Sequence, residues 1–511
     1  MYNFVFRRAL SSVAVLLVAS FLIYLLVDVA LDPLADLRQS TAPNKQALID
    51  ARIAMLQLNV PAAIRYFGWL GGVAGCFVGQ CDLGIAWTSN QQVIDVLASA
   101  LVVTLRLVTL ATVLAMILGI AVGLVSALRQ YTGFDYGMIF ISFLLYSLPS
   151  FWVAVLLKQW GAIGFNDFLA DPQMSMVTMV IIAVVMGIIL QAVISGDRKK
   201  RLLTFALAAG ATFLVVFYLI QTDWFNTPTM GPVVIGASML GIAIALTALM
   251  AGLRNRKALY AATTTAIAVT VLWWPMQTLF VGSNWGKIFA LCAGVVAIGL
   301  LIGWLYGGFD RAQSMRLSAL VGLIGFGVLF VDRIMQAWVP YVSSPAVNGR
   351  PIATLGSQTP GLKGSFWIMQ LDSFTHLLLP TITLVLISFA GYTRYSRASM
   401  LEVMNQDYVR TARAKGLPER VVVTRHAFRN SLIPLATIIP LDFAGILGGA
   451  VITEKIFGWT GMGTLFLSAL GKQEIDPIMA YVIVIGTVAI IANFLADLLY
   501  AGLDPRIRVN A

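Results

Sequence analysis

The sequence predicts an all-α polytopic membrane protein with about twelve transmembrane helices. Of its 511 residues, 59% are hydrophobic and 11% are charged, and the mean hydropathy is +0.87. A soluble chain of that composition would expose enough apolar surface to aggregate, so the apolar segments are expected to lie in a bilayer. The net charge of +11 is concentrated between apolar runs, which indicates positive cytoplasmic loops rather than a nucleic-acid-binding surface.

Residues 1–98 are predicted to form an N-terminal anchor helix and an extracytoplasmic loop. Two arginines precede an apolar run at 9–30, which can cross a bilayer and is longer than the apolar part of a typical secretory signal. The run therefore predicts an uncleaved anchor with a cytoplasmic N-terminus. Cys76 and Cys81 lie in the following loop, where an oxidising environment favours a disulfide; two unpaired small residues are the alternative.

Residues 99–160 are predicted to contain two further spans, at 101–128 and 136–157. Pro149 is expected to kink the second of them, which a membrane helix tolerates. Arg106 lies inside the first, nearer its extracytoplasmic end. An arginine at that depth either marks a translocation pathway or extends its guanidinium to the outer headgroups in a structural role.

Residues 161–371 are expected to form a region of six additional spans. Basic clusters at 197–201, 254–257 and 310–316 each follow an even-numbered span, so all three fall in the cytoplasm if the N-terminus does. An even number of spans also leaves the orientation of the flanking segments unchanged. A lipid-facing collar or a docking surface is the preferred interpretation of this region, and a second transport pathway is the alternative. The six apolar runs are 176–194, 202–220, 233–253, 258–280, 288–306 and 317–339.

Residues 372–511 are predicted to carry the last three spans and to end in the cytoplasm of a cell-membrane protein. Asp442 falls within one of these spans and Asp497 near the cytoplasmic end of another. Each carboxylate either faces a translocation pathway or is hydrogen-bonded in a structural role. Residues 454–473 are expected outside, with glycines that indicate a tight re-entry or a turn. The three apolar runs are 377–390, 431–452 and 481–499.

A polar segment at 392–434 interrupts the apolar sequence on the predicted cytoplasmic side. Between Arg394 and Arg429 it holds eight Lys/Arg and three Asp/Glu. Gly416 suits a helix C-cap, and Pro418 cannot continue the same helix. The pattern predicts a helix–Gly–helix elbow, whereas the charge alone would indicate a solvated basic loop.

The residues of this elbow also resemble a known family. Tyr408–Gly416, YVRTARAKG, followed by Arg425–Pro434, RHAFRNSLIP, is similar to the cytoplasmic EAA-type loop of ABC importer permeases, and more narrowly to the dipeptide/oligopeptide branch. The runs at 448–463 and 497–508 resemble the same branch, as do Asp82–Gly84 and other short segments of the predicted outer loop. The resemblance implies a type I ABC importer permease core of six spans, into which the six additional spans are inserted.

The resemblance further implies that the elbow contains a coupling helix, at about 403–420 within a loop at about 397–430, which docks into a groove on a separate ATPase subunit. Arg410 and Arg413 are suited to bidentate pairs with carboxylates of that partner, and Tyr408 to an aromatic anchor. Also implied are a homologous second permease subunit, two ABC ATPase subunits, an extracytoplasmic substrate-binding protein and import of di- or oligopeptides. The residues expected to couple to the ATPase are Asp407, Tyr408, Arg410, Thr411, Ala412, Arg413, Ala414, Lys415 and Gly416.

No catalytic, cofactor-binding or metal site is predicted, so the chain is not expected to be an enzyme. Two histidines and three cysteines are too few for a transition-metal site, and the sequence has no GxxxxGK[ST] phosphate loop. ATP hydrolysis would therefore reside in partner chains. A twelve-span secondary transporter that needs no ATP is the alternative, but it would show two similar halves with midplane charges, whereas the elbow occurs once.

Overall fold

The computed structural model describes residues 2–194 and 196–503, which are mostly helical. Within that part of the chain, extended structure is limited to β1 (Ile85–Ala86), which pairs antiparallel with β2 (Gln91–Gln92). The predicted all-α fold class is therefore confirmed. The predicted cytoplasmic C-terminus, 504–511, lies outside the described residues, and so does the end of the family-like run at 497–508.

The helices are numbered in chain order. Those that end before residue 251 are α1 (Tyr2–Ala30), α2 (Ala35–Gln39), α3 (Lys45–Leu56), α4 (Ala62–Gly75), α5 (Val93–Leu128), α6 (Gly133–Ser147), α7 (Ser150–Leu156), α8 (Phe165–Ala170), α9 (Met176–Val193), α10 (Arg198–Gln221) and α11 (Gly231–Met250). Those that follow are α12 (Arg256–Leu279), α13 (Trp285–Tyr306), α14 (Arg311–Gln336), α15 (Trp338–Val342), α16 (Phe366–Met404), α17 (Asp407–Ala414), α18 (Glu419–Val421), α19 (Phe428–Ser431), α20 (Ile433–Gly449), α21 (Val451–Phe457), α22 (Met462–Gly471) and α23 (Ile475–Leu503). Turns of the 3₁₀ or π type occur at Cys76–Val78, Leu157–Gly164, Gly308–Asp310 and Val422–Ala427.

The number of membrane-spanning helices agrees with the sequence. Among the described residues, ten helices are long and apolar enough to cross a bilayer, and twelve spans result if each of two bent helix pairs is counted once. The polytopic membrane class is thereby confirmed, and the predicted number of about twelve spans is compatible with this range.

The segment predicted as the third span, 136–157, consists of two helices at a sharp angle. α6 and the helical segment Ser150–Ala170 meet at 102°. Pro149 explains the break because it has no N–H to donate and disfavours helical backbone in the residue before it. Leu148 accordingly has an extended conformation, with ψ of 131°.

The helix α16 is much longer than the apolar run at 377–390 that predicted it. It begins at Phe366 and continues without interruption to Met404, so the polar residues Arg394 and Arg397 belong to the same helix as the apolar run. The elbow proper therefore begins after Met404, whereas the sequence placed its polar segment from residue 392.

The described chain separates into two compact units. One is built from the chain up to Gly161, the chain from Leu377 onward and the short segment Thr354–Ser357, and the other holds the rest. The predicted six-span region covers 161–371, and its status as an insertion into a permease core stays a prediction.

In the first unit, α5 and α16 pack with their backbones close together. A Cβ atom at Gly119 would lie 2.6 Å from the Cβ of Tyr392, and one at Gly123 would overlap the Ser396 hydroxyl. Ser396 donates a hydrogen bond to the carbonyl oxygen of Gly119 at 3.2 Å. Small residues permit this approach, which fixes the position of the helix that leads into the elbow.

The second unit is organised around α11–α14. α13 and α14 approach closely because a Cβ at Gly299 would lie 2.6 Å from the Ser318 carbonyl oxygen and one at Gly303 would lie 2.6 Å from the Met315 Cα. Small residues at such contacts are typical of helices that associate in lipid, where apolar burial alone provides little driving force. Fully buried side chains of the bundle include Ile235, Met239, Leu317 and Val321.

Candidate coupling site

The elbow is formed by α17, a turn at Gly416 and the helical segment that starts at α18. Gly416 has φ of +76°, a left-handed conformation that glycine adopts without steric cost. Its N–H donates to the carbonyl oxygen of Arg413 at 2.9 Å, and the N–H of Leu417 to that of Ala412 at 3.4 Å. These bonds satisfy the end of α17 before Pro418 starts the next segment.

A small apolar core holds the two arms of the elbow together. Val409 and Ala412 of α17 pack against Val422 of the second arm, and all three are buried. Ala412 was predicted to lie on the coupling surface, whereas its side chain faces the inside of the elbow. The opposite face of α17 is exposed, and it carries Asp407, Tyr408, Arg410, Thr411, Arg413 and Ala414, with Lys415 and Gly416 exposed at its end.

An ion pair closes the elbow across its turn. Arg413 donates to Glu419 through Nε at 3.1 Å and Nη2 at 2.7 Å. Hydrogen bonding to this carboxylate raises the pKa of the Arg413 guanidinium. Tyr408 is also engaged within the chain, since its hydroxyl oxygen accepts a bond from Asn430 Nδ2 at 3.0 Å. Two side chains predicted to contact a partner therefore also stabilise the shape of the elbow.

An ion pair joins Asp135 of α6 to Arg397 of α16, the helix that leads into the elbow. Asp135, near the start of α6, is 1% exposed and accepts two bonds from Arg397 of α16, at 2.7 Å from Nε and 3.0 Å from Nη2. The Ser126 hydroxyl and the Tyr131 N–H donate to the same carboxylate at 2.5 and 3.0 Å. The pair joins the α5–α6 turn to the helix that continues towards the elbow. Sequence reasoning missed it, although Thr132, three residues before Asp135, is a local signal for a helix start.

Two family descriptions match this chain. One, "Binding-protein-dependent transport system inner membrane component", matches residues 318–509, and the other, for the N-terminal part of such components, matches residues 1–108. The oligopeptide transport system permease protein OppB of Mycobacterium tuberculosis is 36% identical over 230 residues, which are 44% of this chain and 68% of the relative. This chain belongs to that family.

Other relatives of this permease agree. A putative peptide permease protein of Brucella ovis is 46% identical over 237 residues, 45% of this chain and 71% of the relative. The dipeptide transport system permease protein DppB of Alkalihalophilus pseudofirmus is 33% identical over 235 residues, 43% of this chain and 68% of the relative. The chain is thus an integral cell-membrane permease subunit of the ABC importer type, and a secondary transporter is not favoured.

A second buried carboxylate of the permease, Glu454, was not among the predicted site residues. It is fully buried in α21 and accepts bonds from the Thr104 hydroxyl at 2.6 Å and from the N–H groups of Gly463 and Thr464 at 2.9 and 3.1 Å. Burial raises the pKa of the Glu454 carboxyl, and the hydrogen bonds oppose this only in part. The one feature of the sequence that could have singled out Glu454 is its position in the family-like run at 448–463.

The glycines that predicted a tight turn after Glu454 are explained by this contact. A Cβ at Gly461 would overlap both the Glu454 carboxylate and the Thr104 hydroxyl, and one at Gly463 would lie 2.6 Å from the Val451 Cα. Thr104 belongs to α5, so the carboxylate connects α5, α21 and the start of α22. Within the segment 454–473, which was predicted to lie outside, the turn at these glycines joins the end of α21 to α22.

The predicted pathway residues of the permease lie on three different helices. Arg106 is exposed on α5, Asp442 is half-buried on α20 beside the buried Tyr392, and Asp497 is half-buried on α23. Their part in a translocation pathway or in structural pairing stays a prediction.

The structure joins the predicted cysteine pair, Cys76 and Cys81, in a disulfide. The loop that contains it follows α4. Cys292, on α13, is a free thiol.

The second unit of the permease has a polar centre at Asp332. Asp332 is fully buried, and its Oδ1 accepts from the N–H of Met230 at 2.8 Å and of Gly231 at 3.3 Å. Its Oδ2 accepts from Trp273 Nε1 and Gln336 Nε2, both at 2.8 Å. The carboxylate thereby caps α11, where the helix dipole favours a negative charge.

Proposed function

We propose that this permease moves di- or oligopeptides into the cytoplasm as one of two homologous transmembrane subunits of an ATP-driven importer. The cargo class is supported by the names of its relatives, which are oligopeptide, dipeptide and di/tripeptide transport permeases. The closed elbow is the observation that carries the proposal, because a coupling lever must keep its shape while a partner moves it.

Two ABC ATPase subunits supply the power in this proposal, one docking on the elbow at about 403–420 and the other on the homologous permease. The exposed face of α17 offers Arg410, Thr411, Ala414 and Lys415 to the ATPase groove. Arginine pairs with carboxylates in planar, bidentate geometry, which gives a contact that holds in more than one state of the partner. The apolar core and the Arg413–Glu419 pair make the elbow move as one body.

Movement of the elbow is passed to the membrane through α16 and the buried Asp135–Arg397 pair. The pair links α16 to the turn between α5 and α6, so these elements shift together when the elbow moves. ATP binding would bring the elbows together and open the path outward, and hydrolysis would reset it, in a rigid-body alternating-access cycle. Substrate arrives from an extracytoplasmic binding protein at the ends of the helices remote from the elbow.

The region between the two family matches, 109–317, contains most of the second unit. We assign 161–371 to an inserted six-span region that leaves both termini of the permease in the cytoplasm. α10 supports a lipid-facing position, because none of its residues is buried in the structure. The flanking segments, 1–98, 99–160 and 372–511, form the transport core.

The elbow assignment is tested by crosslinking. A cysteine replaces Ala414 in a background without the native thiols, and a thiol crosslinker probes a co-expressed ATPase subunit with and without ATP. We expect a crosslink whose yield changes with ATP, because Ala414 lies on the exposed face of α17. Ala412→Cys is the matched control, since its side chain is buried in the elbow and should give little product.

Absence of a crosslink, with the Ala414→Cys thiol freely labelled from the cytoplasm, would contradict the proposal. It would leave the elbow as a solvated basic loop and favour a transporter that does not use ATP.

A further inference from the structure

A cavity of about 420 Å³ lies in the first unit, beside the start of α23. Small-molecule sites in proteins occupy a comparable volume, from about 300 to 1,000 Å³. It opens among α1, α4, the strand pair β1–β2 and the first turn of α23, at the end of α23 remote from the elbow. The side chains that matter for its chemistry are Tyr24, Arg65, Trp69, Asp82, Trp87 and Asp476.

The wall formed by residues 82–92 is held in place by two acidic residues next to and in α23. Glu474 accepts from the N–H of Thr88 at 2.8 Å and from its hydroxyl at 2.7 Å, and Asp476 Oδ2 accepts from the N–H of Ile85 at 3.2 Å. Gly84 has φ of +88°, and a Cβ there would overlap the Asp476 carboxylate. The cavity is therefore built by specific contacts rather than left between loosely packed segments.

Three charged side chains line the cavity: Arg65, Asp82 and Asp476. Asp476 interacts electrostatically with both Asp82 and Arg65. Arg65, however, is already paired with Asp28, at 2.6 Å from Nη2, and its Nε donates to the Val60 carbonyl. The carboxylates of Asp82 and Asp476 are left facing the same space, and two like charges in one site are stabilised when a cation binds between them.

Each of these carboxylates uses one oxygen to accept a hydrogen bond from the wall. Asp82 Oδ1 accepts from the N–H of Gly84 at 2.9 Å, and Asp476 Oδ2 accepts from that of Ile85. Among the hydrogen bonds of residues 2–194 and 196–503, no partner occurs at Asp82 Oδ2 or Asp476 Oδ1. Two free carboxylate oxygens match the several N–H donors of an ammonium group.

Aromatic rings complete the lining. Tyr24, Trp69 and Trp87 border the cavity, and the faces of such rings attract cations. Arg52 already occupies one face of Trp87, at 3.9 Å from the ring centroid, and its charge is paired with Asp36. The Trp87 ring therefore already binds one cation, the Arg52 guanidinium. Because Arg52 is paired with Asp36, it does not serve as the countercharge of Asp82 and Asp476.

We propose that this cavity binds the free α-ammonium group of a short peptide, with Asp82 and Asp476 as its charge partners. The proposal rests on peptide import as the function proposed above. It gives the permease its own contact with the cargo at the end of the first unit remote from the elbow, in addition to delivery by a binding protein.

The test uses the assembled importer in lipid nanodiscs without its binding protein. Binding of trialanine, N-acetyl-trialanine and n-butylammonium is measured by titration calorimetry. We expect trialanine and n-butylammonium to bind, and the acetylated peptide to bind at least about tenfold more weakly, because it lacks the charge that Asp82 and Asp476 recognise.

Conservative variants isolate the charge. Asp82→Asn and Asp476→Asn each keep an oxygen for the backbone N–H they accept from, so the wall is retained, and each should weaken trialanine binding about tenfold or more. Asp95→Asn is the matched control, because Asp95 is an exposed carboxylate nearby that does not line the cavity. It should bind like the unaltered permease.

Three results would overturn the inference. They are equal binding of free and acetylated trialanine, unchanged binding in both cavity variants, and a cavity saturated by Ca²⁺ alone with no binding of either ammonium compound. Import of trialanine by the complete system, measured in parallel with ATP, separates the two proposals. Import without binding at this cavity would overturn only this inference, and ammonium binding without any peptide import would overturn the proposed function.

Discussion

Asp135 in the first unit and Asp332 in the second are both buried carboxylates on membrane helices, but different groups stabilise them. Asp135 faces a guanidinium, with two bonds from Arg397 at 2.7 and 3.0 Å. Asp332 is held by neutral donors, among them the N–H groups at the start of α11 and the indole of Trp273. The first is a pair of opposite charges on two separate helices, and the second is a cap within one bundle.

We interpret this difference as one of role between the two units. A charge pair between α6 and α16 is expected to transmit displacement, because separating its members would leave the buried Asp135 carboxylate without its countercharge. A carboxylate that caps a helix and bonds two neighbouring side chains holds a bundle in one arrangement. We infer that the first unit carries the moving parts and that the second unit is a static support, and four changes can test this comparison.

Replacing Arg397 by alanine is expected to have the largest effect. Removal of one member of a buried ion pair costs about 3–5 kcal/mol, because Asp135 would stay buried without its countercharge. The measurement is the thermal unfolding midpoint of the permease in nanodiscs, together with ATP-driven import, and both should fall. A double variant, Asp135→Asn with Arg397→Gln, should recover part of the stability but not the import rate. Wild-type behaviour of Arg397→Ala would show that the pair is dispensable.

Replacing Asp332 by alanine should destabilise the second unit by about 1–3 kcal/mol, because it leaves buried hydrogen-bond donors without an acceptor. We expect faster thiol labelling of Cys292, the half-buried native cysteine on α13 of that unit. The ATP-sensitive crosslink at the elbow should persist, because the second unit is a support. Asp332→Asn is the control, because it keeps an acceptor oxygen, and it should destabilise the second unit less than Asp332→Ala. If destabilising the second unit also abolished the ATP-sensitive crosslink at the elbow, the second unit would not be a static support.

Glu454 predicts a smaller effect that depends on pH. Its pKa is raised in the folded state by burial, so the folded state favours the protonated form. The stabilisation is complete below the ordinary carboxyl pKa of 4.5 and is lost as pH rises through the raised value. In thermal unfolding midpoints measured from pH 4.5 upward, the Glu454→Gln variant should show a smaller fall with rising pH than the unaltered permease. An identical pH slope in the variant would mean that another group is responsible.

Replacing Arg413 by alanine should have the smallest effect on stability. Its pair with Glu419 is largely exposed, and exposed pairs contribute about 0.2–1 kcal/mol and weaken with salt. The more sensitive measurement is the ATP-dependent change in crosslinking at Ala414→Cys, which should diminish if the elbow loosens. Arg410→Ala is the comparison, because the Arg410–Asp407 pair is 3.8 Å long and lies within one arm of the elbow. Equal results for both variants would argue against a closing role for Arg413.

The sequence by itself determined the membrane class, the approximate number of spans and the position of the elbow. These features depend on local properties: twenty-residue apolar runs, basic clusters between them, and Gly416 followed by Pro418 as a helix stop and start. The family-like runs determined the type of transporter for the same reason, since a motif is read along the chain. The sharp break at Pro149 was indicated as a kink, but its angle of 102° depends on how α6 and the following helix pack.

Only the tertiary structure decided which polar residues meet. Asp135 and Arg397 are 262 positions apart, and Thr104 and Glu454 are 350 apart. Sequence periodicity and spacing cannot predict such contacts, because they depend on how distant helices pack. The close packing of Gly119 against Tyr392 is one example of what sets the position of these helices. Burial likewise separated Ala412, inside the elbow, from Ala414 on its surface, although the two residues are alike in sequence.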